Sequence, residues 1–284
     1  MDVGLLMIAG GAAAGVFGSL LGLGGGILIV PMLTLGFGLD LRTAVGVSLV
    51  CVIMTSSAAA GVYLERHVAN LRLGMSLELF TASGALVGGS IAFLVDERWL
   101  SILFAGLLGY VAMTMLRAAA ASSADGEVAS VVDPADPPSP RDPTTVHSRR
   151  DTFLASVAGS DYEVRNLGRG IVGATGAGVA SALLGIGGGI VKVPLMHLAM
   201  GVPLRVATAT SNLMIGITAA AGAVIYLVRG EIDPYVAGPT AIGVFLGASV
   251  GSRVAHRIRY RYLLWLFVVV LAYTAVQMLL RGFS

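Results

Sequence analysis

Leu20-Leu-Gly-Leu-Gly-Gly-Gly-Ile27 recurs 163 residues later as Leu183-Leu-Gly-Ile-Gly-Gly-Gly-Ile190. The same offset, without a gap, aligns Val30-Pro31 with Val193-Pro194, Ser48 with Ser211, and Tyr110 with Tyr273. An apolar composition by itself would not keep one register over about 100 residues. The chain is therefore a tandem duplication.

The composition of the 284-residue chain predicts a membrane protein. Hydrophobic residues make up 56% and charged residues 12%, whereas a soluble domain carries about 25% charged residues. Apolar runs of about 20 residues have the length that crosses a bilayer core. We expect an all-α polytopic membrane protein with eight apolar blocks, at 3–38, 43–64, 73–95, 99–117, 167–202, 205–228, 234–252 and 262–280.

A polar segment separates the two copies. Thirteen of the 34 charged residues lie between Ala118 and Gly170, and residues 133–143 are mostly proline, aspartate and serine. Such a composition cannot bury enough apolar area to fold independently. We expect a first transmembrane repeat over 1–117, a disordered cytoplasmic linker over 118–166 and a second transmembrane repeat over 167–284.

The first block of each repeat is too long for one crossing. Residues 3–38 would form a helix of about 54 Å, against about 30 Å of hydrocarbon. If the chain doubles back at the glycines, the repeats are inverted; if it runs straight through, they are parallel. Doubling back puts 13 arginines on the linker side and leaves Arg42, Arg98, Arg229 and Arg281 opposite, whereas the straight path divides them 10 to 7. The positive-inside rule favours inverted repeats with both termini outside.

The glycine-rich stretches are the strongest candidates for a substrate site. Glycine permits positive φ, and the proline that follows removes a backbone donor, so each stretch should interrupt a helix. A helix broken at matching positions of two inverted halves indicates a binding site at the membrane midplane, where amides at the new helix starts favour an anion. The alternative is close packing of helices at small residues.

Polar residues near these breaks extend the candidate site. Placing the charged Lys192 ammonium at membrane depth costs free energy. Lys192 therefore either binds an anion or extends its ammonium to the membrane interface. Hydroxyl and amide groups after the breaks either bind the anion or bond neighbouring helices. Glu78 and His197 are further candidates for moving a proton. The predicted substrate-binding residues are Gly22, Gly24, Gly25, Gly26, Ile27, Ser48, Gly185, Gly187, Gly188, Gly189, Ile190, Lys192, Thr210, Ser211 and Asn212.

The doubled motif Gly-x-Gly-Gly-Gly-x-x-x-x-Pro, each copy followed by small residues ending in Ser48 or Ser211, resembles the TauE/SafE family of sulfite exporters. The resemblance covers nearly the whole chain outside the linker. It implies a multi-pass carrier of the bacterial inner membrane for sulfite, organosulfonates or related sulfur oxyanions. The sequence contains no ATP-binding motif, so we expect a secondary transporter, driven by the substrate gradient or by a coupled proton or ion.

An enzyme is the alternative that the motifs leave open. Gly247-Ala-Ser-Val-Gly251 matches the Gly-x-Ser-x-Gly string of hydrolases, and an intramembrane hydrolase would use Ser249 and His256. Gly84 and Gly88 align with the two glycines without the serine, which favours helix packing. We expect no cofactor and no metal site. The expected partners are a small anion and the lipid bilayer, with a homo-oligomer left open and nucleic acid excluded by a net charge of only +2.

Overall fold

A computed structural model describes residues 3–21, 24–65, 70–122, 164, 166–254 and 260–283. Within these residues the chain is all-α, with ten α-helices and two short π-helical segments. The first five helices are α1 (Val3–Leu21), α2 (Gly26–Pro31), α3 (Leu41–Glu65), α4 (Leu71–Ala92) and α5 (Glu97–Ser122). Their equivalents in the second repeat are α6 (Leu167–Leu184), α7 (Gly189–Pro194), α8 (Leu204–Val228), α9 (Pro234–Val254) and α10 (Tyr260–Phe283).

Each long first block folds as three pieces. Gly25 and Gly188 precede α2 and α7 with φ of 74° and 75°, a left-handed conformation that glycine adopts without strain. Pro31 and Pro194 then end these short helices, and π-helical turns follow over Met32–Gly36 and Leu195–Ala199. Proline has no N–H group to donate to the carbonyl four residues earlier, which explains why the regular α-helical hydrogen bonding stops there.

The chain doubles back at both breaks. Gly18 packs against Gly25, whereas Gly10, two turns earlier in α1, packs against Met32, so the returning segment runs antiparallel to α1. The second repeat has the same arrangement, because Gly188 contacts Ser181 while Gly173 contacts Leu195. At both breaks the returning segment therefore runs back along the helix that precedes it.

Helix pairs form mainly between the repeats. Glycines of α9, at 243 and 247, lie directly on the backbone of α1, and Gly84 and Gly88 of α4 lie on α6 in the same way. Exchanging the two repeats turns the α1–α9 contact into the α6–α4 contact. It likewise turns the contact of α3 with α9 into the contact of α8 with α4. Helices α3 and α8 pack on each other, and so do α5 and α10. The duplication in the sequence is therefore also a duplication of packing.

Equivalent helices run in opposite directions where they meet. Gly46, early in α3, packs against Tyr226 near the end of α8, whereas Ser56 packs against Gly216 farther back in α8. Antiparallel equivalents are the arrangement expected of inverted repeats.

Four arginines that the doubled-back path assigns to one side lie at one end of the molecule. The guanidinium carbons of Arg42 and Arg229 are 5.5 and 5.1 Å from the centroid of the Phe93 ring. The last turn of α10, which holds Arg281, packs against Arg98 at the start of α5. A straight path would have put Arg42 and Arg229 on opposite sides.

The outer surface is apolar, as a bilayer requires. Large side chains such as Leu79, Val172 and Val228 are 72–80% exposed, and five described helices are long and apolar enough to cross a membrane. The main core lies where α2, α3 and α5 meet α8, α9 and α10, and it encloses Cys51, which has no disulfide partner. The chain is thus a polytopic membrane protein, and its main core includes Ile27, Leu184 and Ile186 at the breaks.

Candidate functional site

The two helix breaks touch each other. A Cβ atom at Gly26 would collide with the carbonyl oxygen of Gly185 and with Ile186, so the backbones approach as closely as glycine allows. The Ser48 hydroxyl donates a hydrogen bond to the Gly185 carbonyl at 2.7 Å and lies 3.3 Å from the Gly26 carbonyl. Ser48 thereby bonds the first repeat to the break of the second.

Two equivalent side chains pack against both breaks. Val52 of α3 and Ile215 of α8 align at the repeat offset of 163, and each contacts both Gly24 and Gly187. Both side chains are at most 1% exposed. The centre of the contact is therefore apolar, and polar groups lie around it.

Lys192 lies beside the second break in a buried ion pair. Its Nζ is 3.2 Å from Glu78 Oε2, and the two side chains are 1% and 5% exposed. Lys192 also donates a hydrogen bond to the Thr218 hydroxyl, which donates in turn to Glu78 Oε1 at 2.6 Å. These contacts join α7 and α8 of the second repeat to α4 of the first. Lys192 therefore does not snorkel to an interface.

Two buried hydroxyls near this pair have no hydrogen-bond partner among the described residues. They belong to Ser181 and Ser211, each fully buried. A Cβ atom at Gly188 would lie 3.2 Å from Ser181 Cβ and 3.5 Å from Lys192 Cε, and one at Gly189 would lie 3.7 Å from Ser211 Oγ. The ammonium-bearing side chain and both free hydroxyls thus surround Gly188 and Gly189.

The first repeat has no equivalent cluster. At the repeat offset, Ile29 replaces Lys192, Ala241 replaces Glu78 and Gly18 replaces Ser181. Thr55, the equivalent of Thr218, donates to the Gly24 carbonyl at 2.7 Å. Among the described residues, the charged groups and the unused hydroxyls lie at the second break and not at the first.

The remaining predicted site residues have mixed positions. Thr210 Oγ1 accepts a hydrogen bond from the Asn70 backbone, and the Asn212 carbonyl accepts one from Ser56, so both bond the two repeats to each other. Gly25, Ile27, Gly185 and Ile190 lie in or beside the breaks. Gly22 lies outside the described residues. His197 is exposed, with Nδ1 2.9 Å from the Val202 carbonyl.

The glycines of the hydrolase-like string serve helix packing. Gly247 contacts Ala12 of α1, and Gly251 contacts Val16 one turn later. The Ser249 hydroxyl is exposed and donates to the Phe245 carbonyl of its own helix at 2.8 Å. His256 lies outside the described residues.

Sequence reasoning missed two members of the cluster. Thr218 and Ser181 lie inside apolar helices, where hydroxyls commonly bond neighbouring backbone. Glu78 was singled out, but not as the partner of Lys192. The signal that could have found the pair is the presence of one acid and one base inside the apolar stretches of these helices.

Comparison with known proteins gives one consistent picture. A family profile described as "Sulfite exporter TauE/SafE" matches residues 7–278. The "Probable membrane transporter protein YunE" of Bacillus subtilis (strain 168) is 25% identical over 289 residues, covering 98% of both chains. A "Probable membrane transporter protein" of Xylella fastidiosa (strain 9a5c) is 26% identical over 254 residues, covering 89% of this chain and 85% of that protein. No solved structure matches the chain significantly.

Proposed function

Because the chain belongs to the sulfite exporter TauE/SafE family of membrane transporters, we propose that it is a secondary transporter of small sulfur oxyanions. Its substrates are sulfite, organosulfonates or close relatives, and it exports them across the bacterial inner membrane. The family gives the transporter class; the substrate, the direction and the membrane belong to the proposal.

The observation that carries the proposal is the contact between the two breaks. Irregular backbone at membrane depth is tolerated where protein or a water-filled cavity satisfies its polar groups. Here Ser48 bonds the Gly185 carbonyl, and the two unpaired hydroxyls lie next to the second break. This supports a substrate site between the breaks, formed by the glycines and the polar side chains beside them.

The antiparallel packing of equivalent helices supports alternating access. When two inverted repeats enclose one site, exchanging their conformations moves the opening from one side of the membrane to the other. In this scheme the site between the breaks stays near the midplane while the surrounding helices tilt. The linker lies in the cytoplasm and both termini lie outside.

Counterflow in proteoliposomes tests the function. Vesicles holding the purified full chain and unlabelled sulfite should accumulate labelled sulfite, and vesicles without protein should not. Sulfoacetate, taurine and thiosulfate inside the vesicles, compared at two pH values, would define the substrate class. If none of these compounds drives exchange, the proposed substrate class is wrong.

A glycine substitution tests the position of the site. Gly26→Ala should abolish counterflow because its methyl group would separate the breaks at the Gly185 carbonyl. Gly36→Ala is the matched control, since Gly36 lies in the same returning segment with open space around it. Membrane insertion should be equal for the two variants, as measured by the yield of folded protein. Normal counterflow by Gly26→Ala would move the site away from the breaks.

A further inference from the structure

The ion pair beside the second break suggests how the site handles charge, on the basis of the function proposed above. We propose that the anion binds at the second break alone, where it replaces the Glu78 carboxylate on the Lys192 ammonium. In the same step Glu78 takes up a proton from a hydronium ion of the solvent on the open side, whose O–H bond breaks and which leaves as water. An O–H bond forms at Glu78 as its hydrogen bond from Lys192 breaks, so the site remains neutral when a monoanion is bound.

Lys192 is the counter-charge to which both the carboxylate and an anion can bind. In the described structure the helices packed on α4 are chiefly α6 and α8. Their sequences contribute only Arg169, Arg205 and Tyr226 as charged or titratable groups, each within seven residues of a helix end, whereas Glu78 faces Thr218 and Lys192. A bound anion on Lys192 therefore leaves Glu78 without another positive partner among the described residues.

Burial makes the proton necessary. A carboxylate that loses its only charged partner in a low-dielectric interior is strongly disfavoured, and neutralisation is the least costly remedy. Glu78 is 4% exposed and Lys192 is 1% exposed. Binding of the anion and protonation of Glu78 are thus two halves of one exchange.

The free hydroxyls supply the remaining contacts. Ser181 and Ser211 are buried beside Gly188 and Gly189 without partners among the described residues. A buried hydroxyl with an unused donor is costly, and an anion's oxygen satisfies it. A sulfite or sulfonate group has three oxygens, one for the ammonium and one for each hydroxyl. The site therefore favours a compact oxyanion with at least three oxygens on one centre.

The first repeat explains why only one anion binds. Ile29 and Ala241 stand at the positions equivalent to the ion pair, and Ser48 already donates to the Gly185 carbonyl. Among the described residues, neither a charged side chain nor an unpaired side-chain hydroxyl lies at the first break. The anion therefore binds at the second break and not at the first.

The exchange predicts proton uptake on binding. Methanesulfonate and thiosulfate keep a fixed charge around neutral pH, so any proton taken up comes to the protein. Purified full chain in weakly buffered detergent solution, with a pH dye, should take up about one proton per bound anion. Affinity should fall by up to about tenfold for each unit rise in pH, because a rising pH opposes protonation of Glu78.

Two Glu→Gln variants separate this exchange from a general effect of charge. Glu78→Gln should bind the anion about tenfold more tightly or better, with no proton uptake and no dependence on pH, because the internal competitor is gone. Glu231→Gln should behave as the wild type, since Glu231 accepts a hydrogen bond from Thr43 at the far end of the molecule. The double variant Lys192→Met with Glu78→Gln should fold, because it leaves no unpaired charge, but should not bind the anion.

The outcomes distinguish this inference from the proposed function. Binding by the wild type without proton uptake, or proton uptake that persists in Glu78→Gln, would overturn the exchange and leave the transporter intact. Anion binding by the double variant would overturn the role of Lys192. If the wild type binds neither anion and shows no sulfite counterflow, the proposed function itself fails.

Discussion

At the scale of single residues, the duplicated serines Ser48 and Ser211 have acquired different tasks. They align at the repeat offset, and both are fully buried. The Ser48 hydroxyl bonds the Gly185 carbonyl, whereas that of Ser211 has no partner among the described residues. One therefore supports the contact between the breaks, and the other is available to a ligand.

Alanine substitutions should separate these tasks. Ser48→Ala should lower the free energy of unfolding by about 1–3 kcal/mol, because it deprives a buried carbonyl of its donor. Ser211→Ala should leave stability nearly unchanged and weaken methanesulfonate binding about tenfold to a hundredfold, the value of one hydrogen bond to an anion. Thermal unfolding in detergent and equilibrium binding measure the two effects. An equal loss of stability in both variants would show that both serines are structural.

The sequence predicted the breaks but not their charged partner. Glycine and proline act on the backbone locally. The duplicated motif was therefore enough to predict the breaks that precede α2 and α7. Glu78 and Lys192 lie 114 residues apart, and their repeat equivalents are apolar, so the duplication gave no hint that they meet. In the same way, nothing in the sequence distinguishes the bonded Ser48 from the unbonded Ser211.

At the scale of helices, glycines decide which elements pack most closely. In α6, Gly178 lies on the Thr81 carbonyl of α4, while Gly176, two residues earlier, faces open space. The block boundaries were predictable from hydropathy, because each apolar block became one helix or one doubled-back segment. The pairing of α6 with α4 and of α1 with α9 was not, because small residues show that a helix packs closely but not on which neighbour.

These two glycines provide a matched test of that packing. Gly178→Ala should destabilise the protein by about 1–3 kcal/mol, because its methyl group forces α6 away from the α4 backbone. Gly176→Ala should be neutral or slightly stabilising, since alanine favours the helix and meets no neighbour. Thermal unfolding of the two purified variants checks the difference. Similar unfolding temperatures would mean that the α4–α6 contact contributes little.

At the scale of the whole molecule, the two ends differ in their number of arginines. The end that holds only Arg42, Arg98, Arg229 and Arg281 is the one that we place outside the cytoplasm, because the doubled-back path assigns the other 13 arginines to the linker side. Leu94 is 83% exposed in the turn between α4 and α5 at that end, and Ser139 lies in the linker sequence. The positive-inside rule puts these two positions on opposite sides of the membrane.

Cysteine labelling checks this orientation. In a Cys51→Ser background, Leu94→Cys should react with an impermeant thiol reagent in intact spheroplasts, and Ser139→Cys should react only after the membrane is permeabilised. Cys51 is fully buried, so its removal should change little of the surface. Labelling of Ser139→Cys in intact spheroplasts would reverse the topology.

The glycine contacts also mean that the two sequence repeats are not the units that can move as rigid bodies. Helix α1 of the first repeat packs closely on α9 of the second, and α6 of the second packs closely on α4 of the first. A rigid-body rotation of one repeat against the other would break both of these helix–helix contacts. Under the alternating access proposed above, the bodies that move are therefore hybrids, each assembled from helices of both repeats, and neither repeat expressed alone would contain a complete one.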